Sequence, residues 1–261
     1  MSRTEGRTGN IDWTDHGPED GRALLLLHSL GTNSTMWIHQ IPAFSRMRRV
    51  VTIDLPGHGG SVAAEGDYRL EDLGGDVLEV ADAAGIDRFD LAGVSLGGLI
   101  SLWLAIAAPN RVLTLVASST AARVGTSEFW SERLSAVSEL GMEGIRPNVL
   151  PRFFTPDFGE REPETFRSVE SVFTAVDPVG YAGCCAALRD ADLRDTVAEI
   201  RCPTLIVVGD QDLATPPTDS EFLSGRIAGS RLVVIPGVAH LANLDQPEAF
   251  TSAVLNTWNE W

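Results

Sequence analysis

The sequence predicts an α/β fold built on a mostly parallel sheet, and three observations predict it. Short apolar runs of strand length recur along the chain without polar alternation, which suits strands covered on both faces. Segments with apolar residues at helical spacing lie between them, the alternation that builds a parallel sheet. One long stretch, from 121 to about 196, carries helical patterns but no comparable strand run, so it reads as a helical insertion into that core.

Taken in order, the first run is "ALLLL" (23–27), which ends at once in the turn "HSLG". "RVVTI" (49–53) leads into the glycine-rich "DLPGHGGS", and "YRLEDLGGDVLEVADAAG" (68–85) is an amphipathic helical segment stopped by a glycine. "FDLA" (89–92) runs into "GVSLGG" and then into the apolar helix pattern "LGGLISLWLAIAAPNRV", which Pro109 stops. "LTLVA" (113–117) is the next strand. Within the insertion, "SEFWSERLSAVSEL" and "VGYAGCCAALRDA" read as helices on either side of the proline-interrupted "RPNVLPRFFTPDFGEREPE". Strands resume at "TLIVV" (204–208) and "LVVI" (232–235). The expected division is therefore a core of 1–120 and 197–261 with an insertion of 121–196.

Composition narrows the function. A chain of 261 residues, 44% hydrophobic and 21% charged, can bury a sizeable core. Its net charge is −16 and it contains no lysine, all 20 basic residues being arginine. So acidic a surface argues against nucleic acid and anionic membranes as partners; an anionic small molecule would need local arginine. The three cysteines, Cys184, Cys185 and Cys202, form no C-x-x-C pair, and no His/Cys cluster has zinc spacing, so no metal is expected. Cys184 and Cys185 are expected to pack on a helix rather than pair. "MSRTEGRTGN" has no apolar leader and no run is long enough to span a bilayer, which predicts a soluble, cytoplasmic protein. Oligomeric state is not legible.

The chemistry centres on Ser95. In "AGVSLGG" it stands between Gly93 and Gly97, after an apolar run and before a helix, the strand–turn–helix setting of a nucleophile elbow. G-x-S-x-G alone is a weak pattern; the setting is what makes it a candidate. A serine hydroxyl needs a base to take its proton and an acid to orient that base. Of five histidines, His16, His28, His39 and His58 read as loop or packing residues. His240, in "IPGVAHLANLDQPE" after the last strand, is the best base. "GDQDLATPP" offers Asp212 as the orienting acid, with Asp210 as the alternative or a loop cap. The order Ser, Asp, His along the chain is one in which such triads occur. Backbone N–H groups of Leu96, directly after the nucleophile, and of Leu30, in the "HSLG" turn, are the expected oxyanion donors, with Gly31 letting the turn come close.

With these residues in view, the chain is identified as a member of the α/β-hydrolase superfamily on "HSLG", "DLPGHGGS", "GVSLGG", "GDQDLATPP" and the histidine near the end. The resemblance covers nearly the whole chain. It implies an eight-stranded, mostly parallel sheet with a helical cap inserted after the sixth strand, and a mechanism that uses no cofactor. Within that superfamily "HSLGTNSTMW", "SSTAARVGTSEFW", "VLPRFFTPDF" and "CAALRDADLRD" resemble 3-oxoadipate enol-lactonases. Where those enzymes usually carry "LSMGG" and "DTRGHG", this chain has "VSLGG" and "DLPGHG". The resemblance implies hydrolysis of an enol-lactone ring in aromatic catabolism. A broad-specificity esterase, lactonase or perhydrolase on the same triad is the alternative, and a non-catalytic binding protein a more distant one. For the substrate's carboxylate, Arg123 in "STAARVG" is the expected partner, its bland role being a surface pair with a carboxylate such as Glu128. Trp130 is the expected apolar wall of the pocket, or else core.

Overall fold

The structure is a computed structural model and describes residues 1–18 and 20–261. Among the described residues nine strands form one sheet: β1 (Ser2–Glu5), β2 (Gly9–His16), β3 (Ala23–Leu27), β4 (Arg49–Ile53), β5 (Val62–Ala63), β6 (Phe89–Val94), β7 (Val112–Ser118), β8 (Thr204–Gly209) and β9 (Arg231–Ile235). Their spatial order is β1-β2-β4-β3-β6-β7-β8-β9, with the two-residue β5 beside β2. The six strands expected from their apolar runs are all present, and pairs from β4 to β9 are parallel. β3, β6 and β8 are buried along their whole length, as continuous apolar runs require.

Two expectations need correction at the sheet edges. β9 is not covered on both faces: it is the last strand, and Val234 is exposed. At the other edge, the N-terminal residues form the antiparallel β1 and β2, which carry His16 at a strand end rather than in a turn. These strands lack an apolar run because β2 packs on the core only through Ile11 and Trp13, set among polar residues that make polar contacts. The Arg3 guanidinium donates to Asp12, and Asp12 N–H donates to the Ser61 hydroxyl at 2.8 Å.

The helices pack on both faces. The short α1 (Ile41–Phe44) follows the β3 turn, and α2 (Leu70–Ala83) starts where Arg69 N–H donates to the Asp72 carboxylate at 2.9 Å. α3 (Leu96–Ala107) is almost wholly buried, which explains its apolar character all round. Between β7 and β8 lie α4 (Ser127–Val149), α5 (Phe158–Arg161), α6 (Pro163–Thr174) and α7 (Pro178–Asp190), with no strand among the described residues there. α4 is capped by the Thr126 hydroxyl and kinked at Gly141, whose φ is 64°. α6, in a stretch that reads as proline-interrupted loop, starts at Pro163, a residue suited to a first helical position. α7 packs on α4 and carries Cys184 and Cys185 as buried free thiols. It also sits tightly on the turn after β4: Asp177 N–H donates to Gly57 O at 2.9 Å, and a Cβ on Gly180 would lie 2.4 Å from Pro56 O. Past β8 come α8 (Pro217–Arg226), α9 (Ala242–Asp245) and α10 (Pro247–Trp258). Among the described residues no single helix is long and apolar enough to cross a membrane.

Register sets up the functional edge. Leu27 pairs with Gly93, Val94 with Ser118, and Ser118 with Val207, so the carboxyl ends of β3, β6, β7 and β8 finish level. Open parallel sheets bind ligands at this edge. The helices between β7 and β8 lie over it.

Candidate active site

At the end of β6 the chain turns so sharply that Ser95 adopts φ 57°, ψ −114°, a conformation L residues seldom hold. The neighbouring backbone maintains it. Ser95 N–H donates to Ser118 O at 2.9 Å, and the Thr120 hydroxyl donates to Ser95 O at 2.8 Å. The flanking glycines are required by space. A Cβ on Gly93 would meet Gly97 O at 2.2 Å, and one on Gly97 would meet Leu27 O at 2.5 Å.

His240 and Asp212 come together behind the same edge. His240 Nδ1 lies 2.8 Å from Asp212 Oδ2, and both side chains are buried. Asp212 also accepts from Ala214 N–H (2.8 Å), Thr215 N–H (3.0 Å) and the Thr215 hydroxyl (2.9 Å). Burial alone would raise its carboxyl. The His240 ring and these donors outweigh burial and hold it below the usual carboxylate range. An ionised Asp212 fixes the ring with Nδ1 protonated and leaves Nε2 as a free acceptor. Asp210 is exposed and caps Gly237 N–H at 2.7 Å, so the alternative acid has a different task.

Ser95 and His240 line one cavity of about 250 Å³. Ser29 and Leu30 line it from the turn after β3, and Leu30 N–H has no hydrogen-bond partner among the described residues. Leu96 opens α3, so its N–H has no partner within the helix either. Two histidines that read as packing residues hold this turn. His58 Nε2 accepts Gly31 N–H at 3.1 Å while its Nδ1 bonds Pro56 O at 2.9 Å. His28 Nε2 accepts Leu55 N–H at 2.8 Å and its Nδ1 bonds Ser29 O at 2.8 Å. Burial, then the nearby His28, pushes His58 down to about 3, and burial lowers His28. Both rings are therefore neutral and tie the turns after β3 and β4 together. The signal was present as one histidine in each of two glycine-bearing turns.

A sequence model described as the alpha/beta hydrolase fold matches residues 22–247. The chain is an α/β-hydrolase. Among its relatives, 3-oxoadipate enol-lactonase 2 of Acinetobacter baylyi is 37% identical over 94% of this chain and 91% of its own. The enol-lactonase of Burkholderia xenovorans, a solved structure, is 35% identical with TM-score 0.96, covering 99% of this chain and 100% of its own. A thermophilic esterase from Thermogutta terrifontis is 26% identical, with TM-score 0.93 over 100% of this chain and 99% of its own. This α/β-hydrolase is an ester-hydrolysing enzyme.

The rest of the cavity belongs to the helices over the edge. Trp130 lines it and is also part of the buried core, with its indole N–H donating to Val124 O at 2.6 Å. Arg123 does not. Its guanidinium turns away to the Ser127 hydroxyl (3.2 Å), which itself donates to Arg189 O near the end of α7 (3.0 Å), and to Asp192 (3.7 Å). The hydrolase instead presents Phe129, Arg133, Arg152, Phe153 and Tyr181, none of which its sequence singled out. Phe153 stacks on the His240 ring at 6.2 Å and 21°. Among the described residues no three His, Cys, Asp or Glu side chains cluster as metal ligands would.

Proposed function

We propose that this α/β-hydrolase opens the ring of 3-oxoadipate enol-lactone to give 3-oxoadipate, as a step of aromatic catabolism, with residues 121–196 as its cap. Ser95 Oγ attacks the ring carbonyl and His240 Nε2 takes its proton, while Asp212 keeps the ring oriented and stabilises the imidazolium. The tetrahedral oxyanion sits on the Leu30 and Leu96 N–H groups. Its collapse breaks the ring C–O bond, His240 returns the proton to the departing enol oxygen, and the enol becomes the ketone. The acyl group remains on Ser95. Water, deprotonated by His240, attacks that ester, and collapse of the second intermediate releases the acid and restores Ser95.

The observation that carries this reading is the buried His240–Asp212 pair behind the cavity whose floor is the strained Ser95. The enol-lactonase names of the relatives direct the choice of substrate. The aromatic lining of Phe129, Trp130 and Phe153 favours aryl esters as a second reading. The test is to mix the purified chain with 3-oxoadipate enol-lactone and follow the loss of its ultraviolet absorbance, beside a panel of aryl esters. The expected result is a kcat/KM for the lactone well above that for any ester. A lactone rate no higher than the spontaneous one, with aryl esters turned over, would replace this reading by the second.

A further inference from the structure

Three consecutive amides in the turn after β3 have three different fates. Gly31 N–H donates to His58 Nε2 at 3.1 Å, and Leu30 N–H has no partner among the described residues. Ser29 N–H donates to the thioether sulfur of Met36 at 3.3 Å, the only acceptor it has among the described residues. Ser29 and Met36 are both buried, so bulk water does not take the place of that sulfur. The Thr32 hydroxyl lies 3.3 Å from the same sulfur and donates to Ser29 O at 2.8 Å. Ser29 O also accepts Thr32 N–H at 3.1 Å and bonds His28 Nδ1 at 2.8 Å. Ser29 O and Leu30 N–H belong to one planar peptide group and point in opposite directions, so whatever fixes Ser29 O also aims Leu30 N–H.

The sulfur is itself held from two sides. Ser34–Trp37 form a single helical turn capped by Asn33: Thr35 N–H donates to Asn33 Oδ1 at 3.0 Å, and Met36 N–H to Asn33 O at 3.0 Å. Met36 O accepts Asn243 Nδ2 at 2.8 Å, from the segment that directly follows His240. Met36 does not line the catalytic cavity, so its influence on the reaction passes through the turn. A thioether is a weak acceptor, and weakness suits this place. A carboxylate or carbonyl oxygen in its stead would add negative potential where the transition state develops its own charge.

We propose that Met36 is a positioning residue for the reaction: its sulfur holds Ser29 N–H and the Thr32 hydroxyl, and through them sets the peptide plane that points Leu30 N–H at the oxyanion. The inference rests on the reading of Leu30 as an oxyanion donor and names the side chain that aims it. His58 and Met36 thus tie the amides on either side of Leu30 and leave the middle one for the substrate.

The test removes the sulfur and keeps its shape. In a Met47→Leu/Met142→Leu background, Met36 is the one methionine left beyond Met1, which is exposed. Growth on norleucine then replaces the Met36 sulfur by a methylene; Met36→Leu is the simpler second variant. Turnover of p-nitrophenyl acetate is measured beside inhibition by phenethyl trifluoromethyl ketone, which adds to a serine as an oxyanion, and by phenethyl methyl ketone, which binds without charge. Wild type and the methionine-grown background should both bind the trifluoromethyl ketone at least ~100-fold more tightly than the methyl ketone. Loss of the sulfur should lower kcat about 10-fold and weaken the trifluoromethyl ketone by a similar factor. KM and the methyl ketone constant should stay within about 2-fold, because acylation and deacylation both pass through an oxyanion. Unchanged kcat and trifluoromethyl ketone binding in the norleucine protein would overturn the proposal. So would equal weakening of both ketones, which marks Met36 as packing alone. Wild type with no preference for the trifluoromethyl ketone would remove the oxyanion reading together with this proposal, whereas a preference that survives loss of the sulfur removes the proposal alone.

Discussion

The two sides of the cavity are built by different means. On the sheet side, turns at strand ends set the positions: the turn at Ser95, the free N–H groups of Leu30 and Leu96, and the level ends of β3, β6 and β7. On the helical side, packing positions them: Trp130 against Val124, Arg133 on Tyr181, Phe153 on His240. Reaction chemistry needs sub-ångström constancy, which short turns between paired strands supply. Substrate preference needs only a suitably shaped and charged wall, which side chains on helices can vary without disturbing the turn.

The largest expected effect tests the sheet side at its centre. Ser95→Ala should lower kcat/KM by about 10⁵- to 10⁶-fold, with the fold intact by circular dichroism and melting temperature. Retention of more than a few per cent of activity would remove Ser95 from the reaction.

Next comes the choice between the two aspartates. Asp212→Asn keeps the shape but lets the amide disrupt the His240 tautomer, and should cost about 10³- to 10⁴-fold in kcat. Asp210→Asn should cost less than about 3-fold, because Asp210 is exposed and holds only the Gly237 N–H. Comparable losses would mean that the loop as a whole, and not the Asp212 carboxylate, supports His240.

The same division explains what could be read in advance. Ser95, Asp212 and His240 were legible because tight turns demand particular residues, glycine above all, at fixed offsets from apolar strands. Six parallel strands were legible from their continuous apolar runs. β1 and β2 were not: Ile11 and Trp13 of β2 pack on the core singly among polar residues, which leaves no apolar run to read. Arg123 was chosen for its position just past a strand end, yet the chain direction after β7 carries it to Asp192 instead. Which arginine of α4 faces the cavity depends on how α4 rests on α7, and no local pattern encodes that.

His58 sharpens the comparison from within, since it is a side chain that positions backbone. His58→Ala would leave the buried Gly31 N–H without its acceptor and loosen the turn that presents Leu30. The expected loss is roughly 10- to 100-fold in kcat with KM little changed, and His58→Gln, which restores an acceptor, should recover part of it. A change confined to KM would place His58 in substrate binding and not in support of the oxyanion turn.

The smallest effect on turnover is expected farthest from both walls, at Asp76 on α2. This carboxylate accepts the Arg7 and Thr8 N–H groups and the Thr8 hydroxyl, tying the β1–β2 turn to the helix. Burial pushes it from 3.8 up to about 6, against the lowering effect of those hydrogen bonds, with Glu79 adding repulsion. A carboxyl whose folded value lies above its unfolded one binds more protons when folded, so its contribution to stability falls as pH rises between the two. In wild type this loss should accumulate from about pH 4 to pH 6 and level off above, amounting to roughly 1–3 kcal/mol. Asp76→Asn cannot titrate and can still accept the two backbone donors. Its unfolding free energy, from urea titrations at pH 4, 5, 6 and 7, should therefore gain on that of wild type by the same amount across the window. Its kcat/KM at pH 7 should stay within about 2-fold of wild type. A stability difference independent of pH would show that Asp76 is ionised throughout, and a fall in kcat/KM would show that the N-terminal strands reach the site through α2 and that the two-sided division of the molecule is incomplete.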